Sequence, residues 1–149
     1  MDVLQVARNG VLVAALAAWA LAQIIKLPVE YARSRRWNWA LLFRAGGMPS
    51  SHSALVAAAA HGIGLAAGFA TPLFALAVAL AMIVIYDATG IRRQAGRHAE
   101  IINTIINDLV VGHPLRQEQL REVLGHSPAE AFVGTLMGLG MAQLLVPLF

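Results

Sequence analysis

The chain has 149 residues, of which 58% are hydrophobic and only 13% charged, and its formal net charge is +3. A typical soluble domain is about 25% charged. A soluble domain of this size also exposes too much of its surface to water to bury this many apolar residues. We therefore expect a single integral membrane domain over residues 1–149. The basic residues lie between apolar runs, which argues against a nucleic-acid partner, and the absence of cysteine excludes disulfides and thiol chemistry.

Four apolar segments predict transmembrane helices, because each lies near the roughly 20 residues that cross a bilayer core. Only helices and closed barrels satisfy their backbone groups within lipid, and the alternating polar residues of barrel strands are absent. The predicted fold is therefore an all-α membrane bundle of about four transmembrane helices. The segments are residues 10–27, 53–70, 72–86 and 129–149.

Two long connections, residues 28–52 and 87–128, emerge at the same end of the predicted bundle, because a tight Thr71–Pro72 turn joins the second and third spans. The positive-inside rule predicts that this end is cytoplasmic, in a bacterial-type inner membrane, with both termini outside. Of the eleven basic residues, all but Arg8 lie at or near these connections: Lys26, Arg33, Arg35, Arg36, Arg44, Arg92, Arg93, Arg97, Arg116 and Arg121.

The second connection contains a predicted amphipathic helix over residues 91–109. Its apolar residues recur at helical spacing, while the residues between them are mostly polar, among them Asn103. We expect this helix either to lie in the membrane interface or to pack on the bundle. The apolar positions are Ala95, Ala99, Ile102, Ile106 and Leu109. A shorter helix is predicted over residues 114–125.

The segment 46–53 is the first that could carry chemistry. Gly46 and Gly47 allow a sharp turn, and either Ser50 or Ser51 could cap the following helix. A helix N-terminus offers unpaired N–H groups to an anion, and His52 would lie in its first turn. The alternative is an ordinary capped helix with an interfacial histidine.

Two further segments reach the same end of the bundle. Asp87 is followed by Arg92 and Arg93, whose guanidinium groups suit phosphate but are also ordinary topology determinants. His126 precedes the fourth span, where Ser127 and Glu130 form a predicted capping box. A carboxylate four residues after a histidine also forms a nucleophile and orienter pair.

These segments resemble the type-2 phosphatidic acid phosphatase superfamily, which includes membrane lipid phosphatases and vanadium haloperoxidases, and in particular its small divergent branch. The shared features are the glycine-glycine-methionine-proline-serine-serine-histidine stretch at 46–52, the tyrosine-aspartate and double-arginine stretch at 86–93, and the leucine-glycine-histidine sequence at 124–126. The resemblance covers about residues 26–140.

The resemblance implies roles for individual residues. Lys26 and Arg44 match a lysine and arginine that hold phosphate, although the gap between them is longer than in the family. Ser50 and Ser51 match a serine-glycine pair that binds phosphate, with serine replacing the glycine, and His52 matches the histidine that protonates the leaving group.

The third family motif is an arginine followed by a histidine nucleophile and an aspartate four residues later. Arg92 or Arg93 supplies the arginine, His126 the nucleophile, and Glu130 replaces the aspartate. About thirty residues separate the arginines from His126, more than in the family, so His98, at the usual distance, is the alternative nucleophile; it lacks an acid four residues later. Asp87 is a further candidate orienter.

The implied function is hydrolysis of a lipid or polyprenyl phosphomonoester, or pyrophosphate, through a phosphohistidine, without a metal or cofactor. The alternative is a non-catalytic protein that binds or transports an anionic lipid phosphate.

Two features inside the spans leave alternatives open. Gly134 and Gly138 form a small-x-x-x-small pattern, which suits either close packing within the chain or a homo-oligomer. His61 lies mid-span, where an ionisable residue is a functional candidate, but we expect a neutral histidine bonded to a neighbouring helix.

Overall fold

The computed structural model describes residues 6–42, 46–90, 94, 98–99, 101–103, 105–106 and 126–149. Within these residues the chain is all-α and contains no strand, which confirms the predicted membrane bundle. Short 3₁₀ turns, Trp39–Leu42 and Val146–Leu148, follow the first and last helices. The four long helices are α1 (Gly10–Ser34), α2 (Ser51–Ala67), α3 (Pro72–Thr89) and α4 (Pro128–Leu145).

Three helices of the described chain are long and apolar enough to cross a membrane, namely α1, α3, and α4 together with its 3₁₀ extension. The remaining helix, α2, has 17 residues and lies in the middle of the bundle, where it packs against the other three. The number of four spans therefore stays a prediction, while the helical membrane bundle is established.

The first helix is longer than predicted. We expected it to end at Leu27, before Pro28, but α1 continues to Ser34 and ends where Arg35 adopts a left-handed φ of 57°. Proline removes one helical N–H without preventing continuation, and membrane helices tolerate such interruptions. The first long connection is correspondingly shorter than residues 28–52.

Small residues allow three helices to pack closely. On α1, Ala14, Ala18 and Ala22 recur every four residues and are completely buried. The same spacing places Ala54 and Ala58 on α2, and Gly134, Gly138 and Ala142 on α4. Small side chains at this spacing let helix backbones approach each other, which is the usual basis of helix packing in membranes.

The α2–α4 contact depends on two glycines. A Cβ on Gly134 would lie closer than 3.0 Å to the Ser50 carbonyl oxygen, and a Cβ on Gly138 would lie equally close to that of Ala54. Of the two alternatives for this glycine pattern, the described chain thus uses it for packing within one molecule.

The third helix is the least covered. Among its residues only Ala81 and Ala88 are buried, and its large apolar side chains are mostly exposed. It packs mainly on α2 and hardly touches α4. Most of its surface is therefore available to lipid.

The described residues of the predicted amphipathic helix are helical, namely 94, 98, 99, 101–103, 105 and 106. Asn103 is buried, whereas Ile101, Ile102 and Ile105 are exposed. Of the predicted apolar face, Ile102 is exposed, whereas Ala99 and Ile106 are half-buried. The interfacial position and the packed position of this helix therefore both stay predictions. The predicted helix over 114–125 lies outside the described residues.

Candidate functional site

The N-termini of α2 and α4 meet at one end of the bundle. Ser50 is the N-cap of α2, and its side chain accepts a hydrogen bond from the Ser53 N–H. The Ser50 N–H donates to the Glu130 carbonyl at 2.9 Å, which ties the two helix ends together. Since Gly134 allows this approach, the glycine on α4 sets the distance between the segments that carry the two histidines.

His126 and Glu130 form a pair at the start of α4. The Nδ1 atom of His126 lies 3.1 Å from Oε2 of Glu130, and the histidine is only 3% exposed. The same Oε2 accepts a hydrogen bond from the Ser127 N–H at 3.2 Å, and Ser127 caps the helix in return, which confirms the predicted capping box. Glu130 therefore holds the helix end and the imidazole at once.

His52 lies beside His126. The two ring centroids are 6.0 Å apart and the ring planes are inclined at 61°. The third helix fixes this arrangement from the other side, because the His126 N–H donates to the Ala88 carbonyl at 2.9 Å. A phosphate that contacts one imidazole would thus lie within reach of the other.

Lys26 brings α1 into the site. It is 1% exposed, and its Nζ donates hydrogen bonds to the Ser51 hydroxyl at 3.2 Å and to the Gln23 side-chain oxygen. It also interacts electrostatically with Glu130. The site therefore contains a buried lysine ammonium near the N-terminus of α2, an arrangement that favours an anion.

Gln23 is a site residue that sequence reasoning missed. While its side-chain oxygen accepts the bond from Lys26, its Nε2 donates to the Leu42 carbonyl at 2.9 Å. It thus joins Lys26 to the 3₁₀ turn that precedes the glycine segment. One signal was present in the sequence, a polar residue three positions before the lysine in an otherwise apolar run.

The glycine segment passes over Lys26. Gly46 and Gly47 have φ values of 101° and 82°, which residues with a side chain rarely adopt. The position that a Cβ on Gly47 would occupy lies 3.8 Å from the methylenes of Lys26. The sharp turn predicted from the two glycines is confirmed, and it covers the aliphatic part of the lysine.

The remaining predicted site residues fall in three groups. Arg44, Arg92 and Arg93 lie outside the described residues. His98 is described and exposed, in contrast to the buried His126. Asp87 is half-buried in the last turns of α3, next to the residue whose carbonyl holds His126.

No three histidine or carboxylate side chains in the described part of the chain are grouped so that they could hold a metal ion. The polar groups that the site offers to a ligand are instead imidazoles, a lysine ammonium, serine hydroxyls and the N–H groups of a helix end.

Comparison with known proteins yields a family and a relative. A family model described as the divergent PAP2 family matches residues 7–141. The uncharacterized membrane protein YuiD of Bacillus subtilis (strain 168) is 39% identical over 152 residues, which covers 95% of this chain and 96% of the relative. No solved structure matches the chain significantly.

Proposed function

Because the chain belongs to the divergent PAP2 family, we propose that it is a membrane phosphatase that hydrolyses a phosphomonoester or pyrophosphate of a lipid headgroup or polyprenyl chain. The observation that carries this proposal is the buried His126–Glu130 pair beside His52. A histidine oriented by a carboxylate, with a second histidine adjacent, supplies a nucleophile and a general acid without further groups.

In the first step, His126 forms a bond to phosphorus and the ester bond to the lipid oxygen breaks. With its Nδ1–H donated to Glu130, the imidazole presents the lone pair of Nε2 as nucleophile. The carboxylate then stabilises the positive charge that develops on the ring. His52 gives its proton to the departing alkoxide, a contribution of about 10²–10⁴-fold.

In the second step, water attacks the phosphohistidine. His52, which is neutral after the first step, takes a proton from this water, so that phosphate leaves, His126 is regenerated and His52 is protonated again. Each proton lost in one half-reaction is recovered in the other.

The phosphate oxygens are held by the cationic side of the site. Lys26 and Ser51 already share a hydrogen bond, and a phosphate oxygen could be held by both. Positive groups fixed in place before the reaction stabilise the charge of the transition state without reorganising. We propose that Arg44, Arg92 and Arg93 complete this set.

A lipid is the proposed substrate because the site lies at the end of apolar helices that belong to a membrane protein. A phosphate attached to an acyl or prenyl chain reaches this position without leaving the membrane. We propose that the site faces the cytoplasm, because the basic residues gather at this end.

The test is release of inorganic phosphate from a panel of lipid and polyprenyl phosphates by the purified protein in lipid nanodiscs. We expect His126→Ala to abolish turnover and His52→Ala to lower kcat more than it raises KM, because leaving-group protonation matters in the transition state. His98→Ala is the matched control and should leave turnover unchanged.

Two results would contradict the proposal. If His98→Ala abolishes turnover and His126→Ala does not, the nucleophile is His98. If the protein binds lipid phosphates but releases no phosphate, and no phosphohistidine is detected by mass spectrometry, it is a binder or transporter of anionic lipids.

A further inference from the structure

A groove runs between α3 and α4 on the membrane side of the site. It has a volume of about 180 Å³. It exists because α3 packs on α2 and makes few contacts with α4, so that α2 forms the floor between them. Two alanines line the floor, and larger side chains form most of the walls. Its lining includes Ala57 and Ala60 on α2, Ala81 and Ile85 on α3, and Thr135 and Leu139 on α4.

The groove ends about one helical turn from the site. Ile85 lies one helical turn from Ala88, whose carbonyl holds the backbone of His126. Thr135 lies little more than one turn beyond Glu130 on α4, and Ala57 lies one turn beyond Ser53 on α2. All three helices that form the groove therefore lead directly to the groups that surround the two imidazoles.

The lining is chemically apolar. Thr135 carries a hydroxyl, but this hydroxyl donates to the Ala131 carbonyl at 2.9 Å. At the far end, Nε2 of His61 lies 3.0 Å from the side-chain oxygen of Gln143, which confirms the predicted helix-to-helix bond. No lining residue is an acid, lysine or arginine. A hydrocarbon fits such a surface, whereas a polar or charged group would lose its hydration without compensation.

The shape of the groove suits a single hydrocarbon chain. From Phe74 at one end to Ile85 at the other, the groove follows α3 for about 16 Å, taking about 1.5 Å of rise per residue. It is open toward the lipid, because α3 and α4 do not close over it. A chain could therefore enter sideways from the bilayer while its head stays at the membrane face.

We propose that the α3–α4 groove binds one hydrocarbon chain of the lipid whose phosphate occupies the histidine site. That a phosphate occupies the histidine site rests on the proposed function, whereas binding of the hydrocarbon chain rests on the groove alone. The protein would thus select long-chain lipid phosphates over short-chain or water-soluble ones, because only long chains bury apolar surface along the groove.

Matched alanine variants test the selection. Ala81→Leu fills the groove, whereas Ala79→Leu places the same side chain on the exposed side of the same helix. We expect Ala81→Leu to lower kcat/KM for long-chain phosphatidate by about tenfold, the usual effect of altered volume in an apolar pocket. The short-chain analogue should be unaffected by Ala81→Leu, and Ala79→Leu should leave both unchanged.

A binding measurement separates the groove from the phosphatase. Wild-type protein in nanodiscs is irradiated with a long-chain phosphatidate that carries a diazirine in one tail, and labelled peptides are located by mass spectrometry. We expect labels at Ile85, Thr135 or Leu139. Labels in the groove without any phosphate release would support binding of the hydrocarbon chain in the groove and would contradict the proposed phosphatase activity.

Three other results would contradict the proposal that the groove binds a hydrocarbon chain and selects for its length. Labels only on the outward side chains of α3, such as Leu76, Leu80 and Ile83, would show that the chain stays in bulk lipid. A disulfide between two copies that each carry Met82→Cys would show that the groove is an interface between protein molecules. If wild type and Ala81→Leu both hydrolyse long-chain and short-chain lipid phosphates equally well, the protein is a phosphatase that does not select its substrate by chain length.

Discussion

A lysine ammonium buried in a helical bundle has to be compensated, because removing a charge from water costs several kcal/mol. Lys26 receives this compensation from Ser51, Gln23 and the charge of Glu130. Gln23 is therefore a positioning residue, because its side chain holds the lysine and joins it to the Leu42 carbonyl.

Replacing Gln23 should affect binding more than chemistry. In Gln23→Leu the lysine loses one acceptor and the turn at Leu42 loses its donor, so we expect KM for a lipid phosphate to rise about tenfold while kcat changes less. Gln94→Leu, at an exposed position, is the control. A fall in kcat with unchanged KM would show that Gln23 does not act through phosphate binding.

Glu130 and Ser127 share the capping box but differ in their expected roles. Glu130→Gln keeps a hydrogen-bond acceptor and removes the charge, so turnover should fall by roughly a hundredfold or more, because the imidazolium is no longer stabilised. Ser127→Ala removes the cap, which should cost about 1 kcal/mol of stability and leave turnover nearly unchanged. Thermal unfolding and phosphate release, measured on both variants, distinguish the catalytic role proposed for Glu130 from the capping role of Ser127. Equal effects of the two substitutions on turnover would contradict this assignment.

At this scale the sequence predicts which residue types belong to the site, but not all their partners. His52, His126 and Lys26 stand out because they are polar groups at the ends of apolar runs. The Lys26–Ser51 bond joins residues 25 positions apart, and the Gln23–Leu42 bond 19. Such contacts follow from helix packing, which local spacing does not reveal.

The helices themselves follow from apolar runs, whereas their ends depend on local chemistry. The extension of α1 past Pro28 could not be predicted from proline alone, because a proline ends some helices and is tolerated in others. The start of α4 was predictable, since serine, proline and glutamate specify a capping box together. The burial of Asn103 was not, because it depends on where the bundle lies.

The element most sensitive to substitution is the α2–α4 contact. In Gly134→Ala the new Cβ would meet the Ser50 backbone, which cannot move aside as a flexible side chain would. We expect a loss of about 1–3 kcal/mol of stability together with a large loss of turnover, because the His126 segment is displaced from His52. Thermal unfolding and phosphate release would measure both.

Gly140→Ala is the matched control for this prediction. It lies on the same helix with nothing within 4 Å of the added Cβ. Alanine is a better helix former than glycine by about 1 kcal/mol, so this variant should be unchanged or slightly more stable. Equal behaviour of the two variants would contradict the packing argument.

At the scale of the whole molecule, the arrangement of basic residues predicts orientation. The site end should be cytoplasmic, with both termini on the opposite side. Since the chain contains no cysteine, single cysteines can be introduced at Arg36, Ala95 and Asn9 and labelled in intact cells with an impermeant reagent. We expect Arg36→Cys and Ala95→Cys to be protected and Asn9→Cys to react. Opposite behaviour of the first two would contradict the two spans that are predicted between residues 36 and 95, and with them the four-span topology.

The distribution of the site over all four helices has a consequence for biogenesis. During synthesis the N-terminal helices are made first, so Lys26, Ser51 and the Ala88 carbonyl enter the membrane before His126 and Glu130 exist. Until α4 arrives, the lysine lacks its electrostatic interaction with Glu130, and the alanine surface of α2 has no glycine helix to cover it. The last helix thus completes the bundle and brings the proposed nucleophile to the site in one step, so we expect a chain truncated before α4 to release no phosphate from a lipid.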